Sequence, residues 1–127
     1  MTNAPTLPVT LTVAADPQLA RLVRMTASNV AMLSSMSVER VEDIRMAAEE
    51  AFIYACATQP GGLLTVVFQA DASHVGMTFS LDVPAFGDAT EDDQTATYAD
   101  LILGSVCDTY EKNEEPATLV LDLKADV

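Results

Sequence analysis

Val41-Glu-Asp-Ile-Arg-Met-Ala-Ala-Glu-Glu-Ala-Phe-Ile-Tyr-Ala-Cys-Ala57 is the stretch on which the fold turns. Val41, Ile44, Ala48, Ala51 and Ala55 recur at steps of three and four, the spacing that lines side chains along one face of an α-helix. Ser37 upstream can cap a helix running from about Val38 to Ala57, and Pro60-Gly61-Gly62 stops it. Its many alanines let a neighbouring element approach closely.

Upstream, Pro8 to Ala14 alternates Val9, Leu11 and Val13 with small or polar residues, the period of a half-buried strand. Asp16-Pro17 then reads as N-cap and first helical residue of a helix with Leu19, Leu22, Val23, Val30 and Leu33 near one face, interrupted at Ser34-Ser35. Downstream, Leu63 to Ala70 and Val75 to Val83 read as two strands joined by a short polar turn, a β-hairpin. From Pro84 to Thr95 (84–95) periodicity gives way to Asp88, Glu91, Asp92 and Asp93, an exposed acidic, lid-like loop. A third helix starts at Thr95 or Thr97, with Tyr98, Leu101, Ile102, Ser105, Val106 and Thr109 expected on its core face. Asn113 to Pro116 marks its exit, and Thr118 to Lys124 alternates as a final strand. The order β-α-α-β-β-loop-α-β predicts an α+β fold: a two-layer α/β sandwich whose mixed or antiparallel sheet carries three helices on one face.

With 127 residues, half of them hydrophobic, and a mean hydropathy of +0.23, the chain has material for one core, so 1–127 is expected to be a single domain. It contains no apolar run of the roughly 20 residues that span a bilayer, and its start has neither a basic nor an apolar leader region, so a soluble, cytoplasmic protein is expected. Of the 19 acids only Asp16, Glu39, Glu42 and Asp43 precede residue 46, where Arg21, Arg24, Arg40 and Arg45 balance them. The whole net charge of −13 therefore lies in the later part. Such a field repels nucleic acid and anionic lipid and suits a basic protein partner, although solubility alone also accounts for it. Cys56 and Cys107 lack metal-ligand spacing and read as buried free thiols, with a disulfide or metal role as the alternative. His74, in Ala72-Ser73-His74, reads as an exposed turn residue without an orienting partner.

The helix quoted first resembles the N-box helix of the anti-sigma regulatory serine kinases, a branch of the histidine-kinase-like (GHKL) ATPases, at Glu42, Asp43, Ala47, Glu50, Ala51 and Ala55. The element order resembles that family's short version of the fold over nearly the whole chain. The resemblance implies a cytoplasmic bacterial regulator that binds a sigma factor and an antagonist protein, usually as a dimer. It also implies an ATP site built from three parts.

In the first part, the N-box glutamate orients or deprotonates the attacking hydroxyl, and an asparagine four residues later binds magnesium. Here Glu50 stands at the first position, as the catalytic residue if the chain is a kinase, but Tyr54 stands at the second. A phenol suits magnesium poorly, and its ring takes space meant for phosphate. The second part, Asp-x-Gly-x-Gly after the hairpin, falls on Val83-Pro-Ala-Phe-Gly87, where Val83 replaces the adenine-reading aspartate, Ala85 replaces the first glycine, and Gly87 alone remains. Asp82 is one residue away, and bringing it into register would flip the strand's faces. The third part, a glycine-rich turn before the last helix, has no counterpart between Gly87 and Gly104, and the lid carries acids where phosphates would lie. The expectation is a regulatory protein that keeps the kinase fold without bound ATP, magnesium or other cofactor. The alternatives are an active serine kinase with an altered pocket, or an unrelated α+β interaction domain. Glu50 by itself also reads as a solvated helix carboxylate.

Overall fold

The computed structural model describes residues 8–87 and 94–127. The four lid acids Asp88, Glu91, Asp92 and Asp93 lie outside the described residues.

Strand β1 (Val9–Ala14) leads through a 3-10 turn (Pro17–Leu19) into helix α1 (Ala20–Ala31), followed by α2 (Val38–Thr58), β2 (Leu63–Ala70), β3 (His74–Ser80), α3 (Thr95–Val106), β4 (Thr109–Asn113) and β5 (Thr118–Lys124). The five strands form one sheet in the order β1-β2-β3-β5-β4, with every neighbouring pair antiparallel. The sequence expectation of an α+β two-layer sandwich holds, and the sheet is antiparallel rather than mixed. β1, the hairpin and the last strand share one sheet.

Alternation explains which sheet face is covered. Leu64, Val66 and Phe68 of β2, Val75, Met77 and Phe79 of β3, and Leu119, Leu121 and Leu123 of β5 all point to the helices and are buried. Burying a side chain the size of Phe68 or Phe79 contributes about 1.5–3 kcal/mol. The helices follow the strand order: α1 packs on β2, α2 on β3 and β5, and α3 beside β4. α2 lies in the middle, which is why its buried set, Ile44, Ala47, Ala48, Ala51, Phe52, Tyr54, Ala55 and Cys56, wraps most of the way round the helix.

Both caps read from sequence are present. Asp16 Oδ1 accepts from the Gln18 amide at 2.9 Å at the start of the 3-10 turn, and Ser37 Oγ accepts from the Arg40 amide at 3.1 Å at the start of α2. Gln59, the one buried polar residue among those described, ties the far end of α2 to the sheet. Its amide group donates to the carbonyls of Gly61 (3.1 Å) and Leu63 (3.2 Å), and its oxygen accepts from the Asp82 amide.

Several expectations need correction. In α1, Leu22 and Leu33 are about half exposed, and the core contacts come from Ala20, Val23, Ala27, Val30 and Ala31. The second hairpin strand ends at Ser80, three residues before Val83, because Leu81 and Asp82 leave the ladder to bond Ala117 and Gln59. α3 buries Ala99 and Leu103, whereas Tyr98 and Leu101 are 62% and 68% exposed, and Thr109 is in a strand the sequence reading missed. His74 opens β3 rather than sitting in a free turn. Its Nδ1 lies 3.0 Å from Asp122 Oδ1 and its Nε2 3.2 Å from Asp71 Oδ2, so it has two carboxylate partners. Cys56 and Cys107 are buried free thiols, as expected. Burial pushes the Cys56 thiol up to about 11, with help from Asp16, and the Cys107 thiol up to about 12.

Candidate functional site

The last turns of α2 meet the first turn of α3, and the segment after β3 crosses beside them. Tyr54 faces this junction from α2 and is almost fully buried. Its ring stacks on Phe86 with 5.5 Å between centroids and 29° between planes. The Lys112 ammonium, from β4, stands 5.1 Å from the Tyr54 centroid and 5.2 Å from that of Phe86. A cation over two ring faces is held by both quadrupoles, and stacked rings supply a continuous apolar wall.

Asp100 of α3 completes the cluster. One carboxylate oxygen accepts from the Tyr110 hydroxyl at 2.6 Å and the other from Lys112 Nζ at 3.2 Å. Burial, and then the bond to Asp100, hold the Tyr110 phenol well above its ordinary range. For Lys112, burial opposes the charge, but hydrogen bonding to Tyr54 and Asp100 outweighs it and the ammonium is held above its usual value. Tyr54, Phe86, Gly87, Thr95, Asp100 and Lys112 are among the residues that line a cavity of 210 Å³ here. A drug-sized ligand typically occupies a pocket of about 300–1,000 Å³. Next to it, sharing Ala57 and Thr95, a more open groove of 600 Å³ runs past Asp16, Ile53, Cys56 and Gly61.

Glu50 lies one turn before Tyr54 on α2 and faces a separate opening with Ile53, Gln94, Thr95 and Tyr98. Its carboxyl is raised, first by partial burial and then by the neighbouring charge of Glu49. Glu50, Tyr54 and Gly87 thus surround the beginning of α3. Gly87 has φ +79°, a conformation that favours glycine. Val83 and Ala85 fall outside this cluster. Val83 is half-buried against the core, its carbonyl accepting from the Ala117 amide at 2.8 Å, and it borders a shallow depression with Asp82, Pro84, Glu115 and Pro116. Ala85 is exposed.

Sequence reasoning missed Lys112, Asp100 and Tyr110. The signal available was the period-two pattern of Tyr110 and Lys112 around Glu111, which puts the phenol and the ammonium on one side of a strand. No protein-family model matches the chain, and no curated protein matches it closely enough to show kinship.

Proposed function

We propose that this chain is a cytoplasmic regulatory binding protein, similar in fold to the anti-sigma-factor serine kinases, that works by protein–protein contact without ATP binding or phosphoryl transfer. The Tyr54–Phe86 stack under Lys112 carries this reading. In the resembled family, the position of Tyr54 belongs to a magnesium ligand and the space before it to phosphates. Here that space holds two aromatic rings and the chain's own cation, already paired with Asp100.

A magnesium-bound triphosphate does not fit these residues. It would have to displace Lys112 from two rings and a carboxylate, and it would meet a phenol where a small oxygen ligand belongs. The positions that would read adenine, Val83 and Ala85, stand apart from the Tyr54 cavity. No helix among the described residues is long and apolar enough to cross a membrane. The partners the resemblance implies are a sigma factor and its antagonist, and the acidic later half of the chain favours a basic partner surface, where complementary charge speeds encounter.

The competing reading, a serine kinase with an altered pocket, has Glu50 on its side, since a raised carboxyl is what a general base near neutral pH requires. One pair of experiments separates them. Purified chain is titrated with the sigma factors of its own cells, with and without millimolar MgATP. Tight binding to one sigma factor that is indifferent to MgATP is the expected result. Transfer of phosphate to an antagonist protein establishes the kinase instead, and no binding to any sigma factor removes the anti-sigma reading.

A further inference from the structure

α2 and α3 pack side by side and run antiparallel. At one end the Arg40 guanidinium of α2 reaches the Val106 carbonyl of α3 at 3.3 Å, and at the other Glu50 and Ile53 share an opening with Gln94, Thr95 and Tyr98. Met46, Glu50, Ile53 and Ala57 follow one another at steps of four, three and four, so they form one stripe along α2. Tyr98 and Leu101 continue the wall on α3, and the antiparallel register sets Leu101 level with Met46. These walls are apolar and open to solvent: Met46 is 41%, Tyr98 62% and Leu101 68% exposed. Large apolar side chains gathered along one groove mark a contact surface. The opening at Glu50 has a volume of 340 Å³ and continues through Ile53 and Thr95 into the 600 Å³ groove past Asp16, Cys56 and Ala57. From Met46 to Ala57 the stripe is about 16 Å long, roughly three helical turns.

The charge in this groove is unmet. Glu50 is half-buried, burial and the like charge of Glu49 raise its carboxyl, and no described residue gives it a hydrogen bond or an ion pair. Glu49 beside it is held by Arg24 at 3.3 Å. Asp16, at the far end, adds a second negative charge, felt at the Cys56 thiol. Among the described residues no Lys or Arg lines either opening.

We infer that this groove takes an amphipathic helix of a partner protein, whose apolar residues pack between Met46, Ile53, Tyr98 and Leu101 and whose Lys or Arg meets Glu50. A third helix laid along two antiparallel neighbours covers both apolar walls at once, with anchors at i, i+3 or i+4, and i+7. Glu50 selects the cation, because a neutral or acidic helix would bury the carboxylate further and leave it unpaired. The inference rests on the reading of this chain as a protein-binding regulator, though not on the partner's being a sigma factor. It adds where the partner lies and the chemistry it must carry.

Fluorescence anisotropy of the full chain with labelled synthetic helices tests this directly. The probes carry leucines at i, i+4 and i+7 with lysine at i+3, and a control set has glutamate in place of the lysine. The lysine helix is expected to bind with a micromolar Kd and the glutamate helix about tenfold more weakly or worse. Glu50→Lys should remove that preference. The net charge of −13, which favours any cationic helix, stays strongly negative in this variant, so loss of the preference assigns it to Glu50. Tyr98→Ser/Leu101→Ser, at exposed side chains, should weaken the lysine helix by about tenfold or more with the circular dichroism unchanged. Leu22→Ser, at an exposed leucine of α1, should leave its binding unchanged. No binding by any probe overturns the inference, and so does binding that survives Tyr98→Ser/Leu101→Ser or keeps its preference in Glu50→Lys. The titration contains no sigma factor, so its failure leaves the proposed function standing. A chain that binds these helices in this way but no sigma factor loses the proposed partner and keeps the groove.

Discussion

Arg40 and Lys112 are cations at opposite ends of α2, and the molecule uses them in different ways. Arg40, 14% exposed, sends every arm of its guanidinium to an oxygen. Nη2 reaches Asp108 at 2.5 Å, Nη1 reaches Asp43 at 3.2 Å and the Val106 carbonyl at 3.3 Å, and Nε reaches the Lys124 carbonyl at 2.9 Å. These contacts fasten α2 to the end of α3 and to β5, and the planar fork is well suited to them. Lys112 has one carboxylate and two ring faces, beside a cavity and the first turn of a helix. The first arrangement is saturated and structural. The second leaves the positive charge partly to aromatic rings, and under the proposed reading it fills the space that the resembled family gives to phosphate.

The contrast can be broken most severely at Tyr54. Tyr54→Ala removes a buried ring and its stack on Phe86, and chemical denaturation should show a loss of about 3–5 kcal/mol. Tyr54→Asn restores the family's magnesium ligand in type and should still give no MgATP binding, because Val83, Ala85 and the missing glycine turn are unchanged. Next comes Arg40→Ala, expected to cost about 2–3 kcal/mol in the same assay, since it leaves Asp108 and two carbonyls short of a donor. Lys112→Met keeps the apolar stem and loses the ammonium, for about 1 kcal/mol, within the range of a partly exposed ion pair plus cation–π contact.

The smallest effects are electrostatic and appear against pH. Glu50 is raised in the folded state, so folding favours its neutral form, and that contribution is lost as pH rises from the ordinary carboxyl value through the raised one. Glu50→Gln should therefore raise Tm slightly near neutral pH and leave it unchanged below about pH 4. Tyr110 is raised too, so its contribution is full below about pH 10 and falls away above it. Tyr110→Phe should flatten that part of the alkaline stability profile.

What could be read from sequence follows from how side chains report their surroundings. β1, the hairpin and β5 have one face toward the helices and one bare face, so their alternation is visible, and α2 shows three-to-four spacing although its burial extends beyond that one stripe. β4 is Thr-Tyr-Glu-Lys-Asn, an edge strand whose polar residues are the protection an edge requires, so it has almost no hydrophobic signal. On α3 the expected core face of Tyr98, Leu101, Ile102, Ser105, Val106 and Thr109 differs from the buried pair Ala99 and Leu103, because a short helix with apolar residues on several sides does not show by spacing alone which side turns inward. The same limit applies to the site. Tyr54 is singled out in the sequence only through the resemblance, whereas Lys112 meets it only through the pairing of β4 with β5, which no local pattern encodes.

Isothermal calorimetry of the purified chain with millimolar MgATP tests most directly whether Tyr54, Phe86 and Lys112 close the site. The predicted result is no saturable heat, either in the native chain or in Lys112→Met. Saturable binding that Lys112→Met changes would place the nucleotide at this cluster and contradict the account.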